Sequence, residues 1–307
     1  MHIPVLYEEI LENLDISTTK KNVVIDATLW LWWHASWIIE MLKDGDIFVW
    51  FDADKDNLDA ASSKLKSLID STWKNIKANF VHSNFCNIAQ NLAELSIDNP
   101  THIYYDFWVN SVHYDIAEKW FSFRYDWPLD LRYDRSKWIT AADIVNTYDE
   151  NELKRVFYEF WEEKKTPFIV KAILIKRSSS PILTTKELAE IISSSSFDPK
   201  SKTRVFQALR IEANKEFDVI RESLSQSIRI LNKWWRIACI TFHSLEDKLI
   251  KEIFNDYTKE EIDDFTGHTI KSWIAKKITK KPIVPTELEI EKNPRSRSAK
   301  LRIIEKL

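Results

Sequence analysis

The scarcity of glycine is the feature of this 307-residue chain that most restricts how it can fold. Glycine occurs only at Gly45 and Gly267, whereas an average usage of roughly 7% would give about twenty glycines. Turns, and loops whose backbone approaches a ligand closely, depend on glycine because it adopts positive φ without steric cost. Tryptophan occurs fourteen times, far more often than in most chains of this size. At each tryptophan, the question is therefore which type of residue the local backbone geometry requires.

The composition is that of a globular protein. About 44% of the residues are hydrophobic and 30% are charged, and no apolar run approaches the roughly 20 residues that a membrane span needs. The opening residues, Met1 to Pro4, lack the basic and then apolar pattern of a signal peptide. Cys86 and Cys239 lie far apart in unrelated motifs, so neither a disulfide framework nor a zinc site is expected. These features predict a cytoplasmic protein without a membrane segment or a bound metal.

Short apolar runs that end in polar residues alternate with helical segments along the first hundred residues. Strands are predicted at Val23–Thr28, Asp46–Asp54, Phe80–His82 and Ile103–Asp106. Strands that alternate with helices at this spacing indicate βαβ units and a parallel sheet. From about Ile116 to Asn214 the periodicity is mostly helical, and a strand returns only at Arg236–Phe242. The sequence therefore predicts an α/β sheet that is interrupted by an inserted helical module.

Acidic residues stand at the ends of three predicted strands. Asp26 precedes a loop and a helix, Asp52 lies near the end of the second strand, and Asp106 ends the fourth. In an open parallel sheet, ligands bind at the carboxyl ends of the strands, near the point where the strand order reverses. Asp52 stands where an acid commonly accepts hydrogen bonds from the ribose hydroxyls of a nucleotide. Asp52 or Asp106 alone has the alternative interpretation of a solvated strand terminus, but acids at two equivalent positions favour a cofactor site.

Long motif blocks follow one another in a specific order along the chain. They are His2–Leu6, Asp26–Leu29 with His34, Phe121–Asp126, Pro128–Arg132, Thr203–Ile211, Phe242–Asp247 and Asn293–Arg302. In these blocks the chain resembles, nearly end to end, the bacterial family of 16S rRNA small-subunit methyltransferase H, also called MraW. The order and length of the blocks make this resemblance specific.

The resemblance implies a class I S-adenosylmethionine-dependent methyltransferase, with an α/β, Rossmann-like sheet and an inserted, mostly helical substrate domain. The methyltransferase domain would comprise residues 1–115 and 215–307, and the RNA-recognition domain residues 116–214. Members of the family transfer a methyl group from S-adenosylmethionine to N4 of a specific cytidine in 16S rRNA. The sequence leaves open whether the substrate is free rRNA or the small ribosomal subunit, and whether the protein is a homodimer.

The resemblance also implies the residues of the site. Cofactor-binding positions fall at Trp32, Trp33, His34, Asp52, Phe85, Asp106 and His113. Asp52 would bind the ribose hydroxyls, Phe85 would border the adenine, and Asp106 would lie beside the sulfonium centre as the catalytic candidate. The family usually has glutamine at His113, where the chain matches the family least well, although histidine also donates and accepts hydrogen bonds. His243 is a second catalytic candidate, for which a buried histidine that fixes a loop is an equally good interpretation.

RNA recognition must be local, because the net charge of the chain is only −3. Candidate phosphate contacts are the arginines of the family blocks and of the basic carboxyl-terminal stretch: Arg124, Arg132, Arg204, Arg210, Arg295 and Arg297. Lys276 and Lys277 are equally well explained as a solvated charged face. The arginine-rich stretch of the family is altered here to Lys164–Pro167, which weakens the prediction of RNA contacts at that position.

Many tryptophans stand where the family has glycine. They include Trp32, Trp33, Trp108, Trp120, Trp127, Trp234 and Trp235. We hypothesise that these are UGA codons, which some bacterial lineages read as glycine and a standard alternative table prints as tryptophan. Mass spectrometry of the native protein tests this, and tryptophan at positions 32 and 33 would contradict it.

Two other functions are alternatives at this stage. Literal tryptophans in the cofactor loop would favour a noncatalytic RNA-binding ribosome-assembly protein whose cofactor pocket is blocked. A nicotinamide-dependent dehydrogenase would explain Asp52 but not the motif blocks.

Overall fold

The computed structural model describes residues 5–16, 20–28, 33–107, 126–133, 139–161, 164–262 and 269–307. The chain forms two compact units: Met1–Trp108 together with Val219–Leu307, and Val109–Asp218. Among the described helices, none is long and apolar enough to cross a membrane. The boundaries predicted from the sequence, 115/116 and 214/215, differ from those of the compact units by a few residues. An RNA-recognition role for the second unit stays a proposal.

The first unit contains a seven-stranded sheet. In chain order the strands of this unit are β1 (Val23–Asp26), β2 (Ile47–Asp52), β3 (Lys77–His82), β4 (His102–Asp106), β5 (Arg236–Thr241), β6 (Glu261–Ile262), β7 (Thr269–Lys271), β8 (Ala275–Lys277) and β9 (Lys300–Lys306). The order in the large sheet is β3-β2-β1-β4-β5-β9-β8, and β6 pairs separately with β7. Strands β1 to β5 are parallel, whereas β9 is antiparallel to both of its neighbours. This sheet confirms the predicted α/β, Rossmann-like class.

The strand order reverses between β1 and β4, which are adjacent in the sheet. All residues of both strands are buried, as expected for central strands covered on two faces. The edge strand β3 is half-exposed and begins at Lys77, three residues before the predicted start. Ligand sites in open parallel sheets lie at such a reversal, beyond the carboxyl ends of the strands. The fold therefore places the ends of β1 and β4 at the expected position of a cofactor.

Helices cover the sheet of the first unit. They are α1 (Tyr7–Leu14), α2 (Trp33–Met41), α3 (Lys55–Ser71) and α4 (Ile88–Glu94), and later in the chain α10 (Glu216–Ile230), whose first three residues belong to the second unit, α11 (Ser244–Thr258) and α12 (Glu287–Lys292). Helix α3 begins where the Asp54 carboxylate accepts hydrogen bonds from the N–H groups of Asp56 and Asn57. Its apolar face buries Leu58 and Leu65 in a core that includes residues of the central strands.

The second unit is helical in its described part. Its helices are α5 (Ala141–Thr147), α6 (Glu150–Trp161), α7 (Thr166–Ser179), α8 (Thr185–Ser195) and α9 (Ser201–Asn214). Capping boxes start α5 at Thr140 with Asp143, and α8 at Thr184 with Glu187. The helices enclose a separate apolar core. The sequence correctly predicted that this region is mostly helical in its described part.

Candidate active site at the carboxyl ends of the parallel strands

Three acidic residues are the last residues of their strands: Asp26 of β1, Asp52 of β2 and Asp106 of β4. Asp26 and Asp106 are almost completely buried, with exposed fractions of 3% and 5%. Buried carboxylates need hydrogen-bond or charge partners, because desolvation of an isolated charge is costly. The contacts of these acids therefore define what the site can do.

A chain of hydrogen bonds joins the ends of β1 and β4. The Tyr104 hydroxyl donates to the Asp26 carboxylate, and the Thr28 N–H donates to the same carboxylate at 3.0 Å. The Thr28 hydroxyl oxygen in turn accepts the N–H of Asp106 at 2.6 Å. These contacts fix the backbone at the end of β4 relative to the loop that follows β1. They hold Asp106 at the reversal of the strand order.

His34, near the start of α2, connects this chain to the amino-terminal segment. Its Nδ1 lies 3.4 Å from a carboxylate oxygen of Asp106, and its Nε2 lies 3.0 Å from the carbonyl oxygen of Val5. Both ring nitrogens therefore face acceptor oxygens, so the ring bridges the Asp106 carboxylate and the Val5 carbonyl. Residues far apart in the sequence thus meet around one carboxylate.

Burial changes the acidity of the Asp26–Tyr104 pair. Desolvation raises the pKa of Asp26 to about 7, although the hydrogen bonds from Tyr104 and Thr28 act in the opposite direction. Burial also raises the pKa of Tyr104 well above its ordinary value, and the neighbouring Asp26 adds to this effect. The pair thus combines a carboxyl group that titrates near neutrality with a phenol that keeps its proton.

Asp52 lies at the end of β2 and is half-buried. One of its carboxylate oxygens accepts the N–H of Asp54 at 2.8 Å, and its carbonyl oxygen accepts the N–H of Ser83 at 3.0 Å. These contacts tie the end of β2 to the segment that follows β3. The carboxylate is rigidly placed and reaches the surface, which suits the recognition of vicinal hydroxyls.

Three aromatic rings pack together at the end of β4 and in the segment after β3. Phe85 makes edge contacts with Tyr105 and Phe107, with ring centroids 5.9 and 6.2 Å apart. Tyr105 and Phe107 stack at 5.2 Å. The Tyr105 hydroxyl lies 2.6 and 2.7 Å from the hydroxyls of Ser223 and Ser227 on α10. An apolar wall of this kind suits a planar base, so Phe85, Asp52 and Asp106 together fit the adenine, ribose and methionine parts of S-adenosylmethionine.

His243, the second catalytic candidate, caps α11. Its Nδ1 accepts the N–H of Glu246 at 3.3 Å, and its Nε2 lies 2.6 Å from a carboxylate oxygen of the same glutamate. The other carboxylate oxygen of Glu246 accepts the N–H of Phe242. All of these contacts lie within five residues of the chain, so the geometry favours the loop-fixing interpretation of His243.

Two further motif blocks meet in an ion pair. Arg302 donates from Nε and Nη2 to both carboxylate oxygens of Asp247, at 2.6 and 3.1 Å. Burial acts to raise the pKa of Asp247, but Arg302 and Lys300 outweigh it and hold this pKa below its ordinary value. The blocks Phe242–Asp247 and Asn293–Arg302 thus contribute a structural tie between α11 and β9.

The arginines predicted to contact RNA differ in their surroundings. Arg210 is 3% exposed and makes a two-point ion pair with Glu216, a position that phosphate cannot approach. Arg132 and Arg204 are half-buried and pair with Asp130 and Asp198. The remaining described candidates, Arg295 and Arg297, are exposed in a short 3₁₀ helix, Pro294–Ser298. The geometry therefore argues against Arg210 as a phosphate contact.

Several predicted positions lie outside the described residues. They are Trp32, His113 and Arg124. The backbone of Trp33 is described as the first residue of α2, but its side chain is not. Tyr104, Tyr105 and the role of Asp26 were missed, because the two tyrosines lie in a strand that reads as an ordinary buried run. The only available signal was Asp26 itself, a polar residue that ends an apolar strand.

Two exposed tryptophans occupy backbone positions that favour glycine. Trp73 directly follows Thr72, the C-cap residue of α3, and has φ of 59°. Trp234 is the third residue of the Asn232–Trp235 turn, has φ of 71°, and the turn closes with a 3.4 Å hydrogen bond from the Trp235 N–H to the Asn232 carbonyl oxygen. Glycine is preferred after a helix C-cap and at the third position of a type II turn. Gly45, the one glycine within the described residues, likewise has positive φ, 82°.

The sequence matches the MraW methylase family over residues 1–307. It is 40% identical to the ribosomal RNA small subunit methyltransferase H of Caldicellulosiruptor saccharolyticus, over 100% of this chain and 99% of that protein. Its identity to the protein of the same name from Carboxydothermus hydrogenoformans is 41%, over 100% and 98% of the two chains. An rRNA methylase structure from Streptococcus thermophilus aligns with 98% of this chain and 93% of its own, with a TM-score of 0.41 and 9% identity. The chain therefore belongs to the MraW methylase family, as its motif blocks predicted.

Proposed function

We propose that this protein transfers a methyl group from S-adenosylmethionine to N4 of a cytidine in 16S rRNA of the small ribosomal subunit. The observation that carries the proposal is the placement of Asp106 at the reversal of strand order, held by Thr28 and facing His34. Membership of a methylase family whose relatives are named for the small-subunit rRNA supports the same substrate. Since the substrate is ribosomal RNA, we place the activity in the cytoplasm.

The residues at the strand ends divide the recognition of the cofactor between them. Asp52 would accept hydrogen bonds from the ribose hydroxyls, Phe85 would border the adenine, and His34 and Asp106 would face the methionine part and the sulfonium. Trp33, Trp32 and His113 belong to the same proposed set by their place in the family motifs. When bound, S-adenosylmethionine supplies a methyl group that is activated by attachment to a positively charged sulfur.

The exocyclic amine of cytosine is a weak nucleophile, because its lone pair is delocalised into the ring. Alignment of this amine with the methyl group and sulfur supplies most of the rate enhancement. The Asp106 carboxylate would accept a hydrogen bond from the amine and thereby raise the electron density on its nitrogen. In the transfer, the amine nitrogen would bond to the methyl carbon, the carbon–sulfur bond would break with its electron pair on sulfur, and the amine proton would pass to water by way of the Asp106 carboxylate. His243 is the weaker catalytic candidate, because its ring already caps α11.

RNA contacts are assigned by accessibility. Arg295 and Arg297 are the most exposed of the described candidates, so we propose them as phosphate contacts. Arg132 and Arg204 would have to exchange their aspartate partners for phosphate. Arg124 retains its assignment through its family motif alone.

The direct test is transfer of a labelled methyl group to 16S rRNA that lacks the modification. One arm uses free rRNA and the other uses isolated small subunits, and nuclease digestion identifies the methylated nucleoside. We expect N4-methylcytidine in at least one arm. Because tryptophans at positions 32 and 33 alter the cofactor loop, the assay includes a variant with glycine at both positions. The absence of labelled N4-methylcytidine with both proteins would refute the proposal.

A further inference from the structure

Positive charge is concentrated in one segment of the helical unit. Between residues 164 and 186 the chain contains only basic charged residues: Lys164, Lys165, Lys171, Lys176, Arg177 and Lys186. The whole chain, by contrast, has a net charge of −3. This segment includes α7 and is also where the sequence departs from the arginine-rich pattern of the family. An uninterrupted basic segment in an acidic protein favours a polyanionic partner.

The two cations near the end of α7 are used within the protein. Arg177 donates from Nη1 to the carbonyl oxygens of Val145 and Tyr148, at 2.9 and 2.7 Å. Lys176 donates from Nζ to the Ser180 hydroxyl at 3.0 Å. These contacts stabilise the ends of neighbouring helices. The exposed lysines lie at the start of the helix and on the side away from these contacts.

The solvent side of α7 combines lysines with large apolar side chains. Phe168 and Ile175 are each 62% exposed, and Lys165 and Lys171 are exposed on the same side. The Nζ of Lys165 lies 6.0 Å from the centroid of the Phe168 ring. The opposite side, which includes Ile169 and Ile173, is fully buried. We name the exposed set Lys165, Phe168, Lys171 and Ile175 the α7 face.

We propose that the α7 face binds single-stranded RNA, with a base stacked on Phe168 and the flanking phosphates on Lys165 and Lys171. This proposal rests on the proposed function and adds the surface through which the substrate docks. Aromatic rings flanked by lysines bind single strands because every base offers a planar face and every linkage offers a negative charge. A second copy of the chain fits poorly, because a symmetric contact would bring the same lysines together.

The test measures RNA affinity directly, without methyl transfer. A labelled single-stranded 16S rRNA fragment is titrated with the full chain, and S-adenosylmethionine affinity is measured separately by calorimetry. Phe168→Ala should weaken RNA binding about tenfold, because removal of a base–aromatic stack has roughly that effect. Phe168→Trp should restore binding. K165Q/K171Q should flatten the dependence of log affinity on log salt by about 0.7 for each phosphate that a lysine no longer neutralises.

Phe197→Ala is the matched control. Phe197 is fully exposed in the same unit, but its neighbour is the acidic Asp198, which pairs with Arg204. We expect its RNA affinity to equal that of the wild type. Equal affinities for Phe168→Ala and Phe197→Ala would overturn the proposal, as would a wild-type dimer in sedimentation that Phe168→Ala dissociates. Failure of the proposed function has a different signature: RNA binding that depends on Phe168 without methyl transfer by the wild type.

Discussion

The strand ends of the sheet and the turns at Trp73 and Trp234 differ in how well their residues suit their geometry. At the strand ends, Asp26, Thr28 and Asp106 each have the functional group that their surroundings require. At the two turns, the backbone adopts positive φ while the residue is a bulky aromatic. Positive φ costs an ordinary residue roughly 1–2 kcal/mol. Glycine at these two turns would remove that strain.

A decayed enzyme would lose its polar site residues together with its glycines. Here the polar residues are in place, whereas Trp73 and Trp234 are two of the eight described non-glycine residues with positive φ; the others include Leu6 and Leu131. Trp50 adds a third case, since its ring is fully buried against Phe48 and Phe80 and its Nε1 has no hydrogen-bond partner among the described residues. This pattern supports the hypothesis that the native protein has glycine at the tryptophan positions.

The largest effect is expected at the strand ends. Asp106→Ala should lower the rate of methyl transfer by about 10²–10³-fold, a typical loss for a group that stabilises charge in the transition state. Single-turnover assays measure the rate, and calorimetry with S-adenosylmethionine shows whether the cofactor still binds. Asp106→Asn is the matched control, because it keeps an acceptor oxygen and should retain more activity than the alanine variant. A rate within twofold of the wild type would remove Asp106 from the mechanism.

The next largest effect is the pH dependence that the Asp26 carboxyl gives to the free energy of unfolding. Its pKa is about 7 in the folded protein and 3.8 when exposed, so the folded state binds more protons between these values. The free energy of unfolding should therefore fall as the pH rises from 4 to 7, by on the order of 4 kcal/mol from this residue alone. Asp26→Asn removes this dependence, and denaturant titrations from pH 5 to pH 8 measure the difference.

Tyr104→Phe provides the complementary control for Asp26. The Tyr104 hydroxyl stabilises the charged form of the carboxylate, so its removal should move the decline in stability to higher pH. If the difference between wild type and Asp26→Asn did not change with pH, Asp26 would not be the buried acid that the geometry indicates.

Substitutions at the two turns with positive φ should raise the stability of the protein rather than lower it. In the protein that carries tryptophan at these positions, Trp73→Gly and Trp234→Gly should each raise the free energy of unfolding by about 1 kcal/mol. Glycine adopts positive φ without strain. Trp273→Gly is the matched control: Trp273 is 58% exposed but does not have positive φ. Trp273→Gly should not raise the free energy of unfolding, because glycine there only increases the conformational freedom of the unfolded chain. Equal effects at all three positions, measured by thermal unfolding, would contradict the glycine hypothesis.

The parts of the fold that the sequence predicted share a simple local signal. Strands β1, β2, β4 and β5 are apolar runs, and their buried positions match that pattern. Strand β9 was not predicted, because four of its seven residues are charged. Its charges are neutralised by residues distant in the sequence: Arg302 by Asp247, and Glu305 by Arg236 and Lys276. Such partners exist only once the chain has folded.

The site residues divide in the same way, into those that a local sequence pattern predicts and those that depend on partners distant in the sequence. Asp52 and Asp106 were predicted because strand ends in parallel sheets have a fixed relation to ligands. The Asp26–Tyr104 contact joins residues 78 positions apart, and no local pattern marks a tyrosine in an apolar strand as the partner of an acid. The burial of Arg210 is hidden in the same way, because a basic residue in a family motif resembles a phosphate contact until Glu216 is placed beside it.

The smallest effect distinguishes a strand-end residue that acts on substrate from one that only fixes the backbone. His243 lies between β5 and α11, and both of its ring nitrogens contact Glu246. His243→Asn keeps an N-cap acceptor, so the free energy of unfolding should fall by no more than about 0.5 kcal/mol, whereas His243→Ala should cost about 1 kcal/mol. Neither should change the rate of methyl transfer at saturating substrate. A tenfold or larger fall in that rate for His243→Asn, with stability preserved, would place His243 beside Asp106 among the groups that act on the reacting amine.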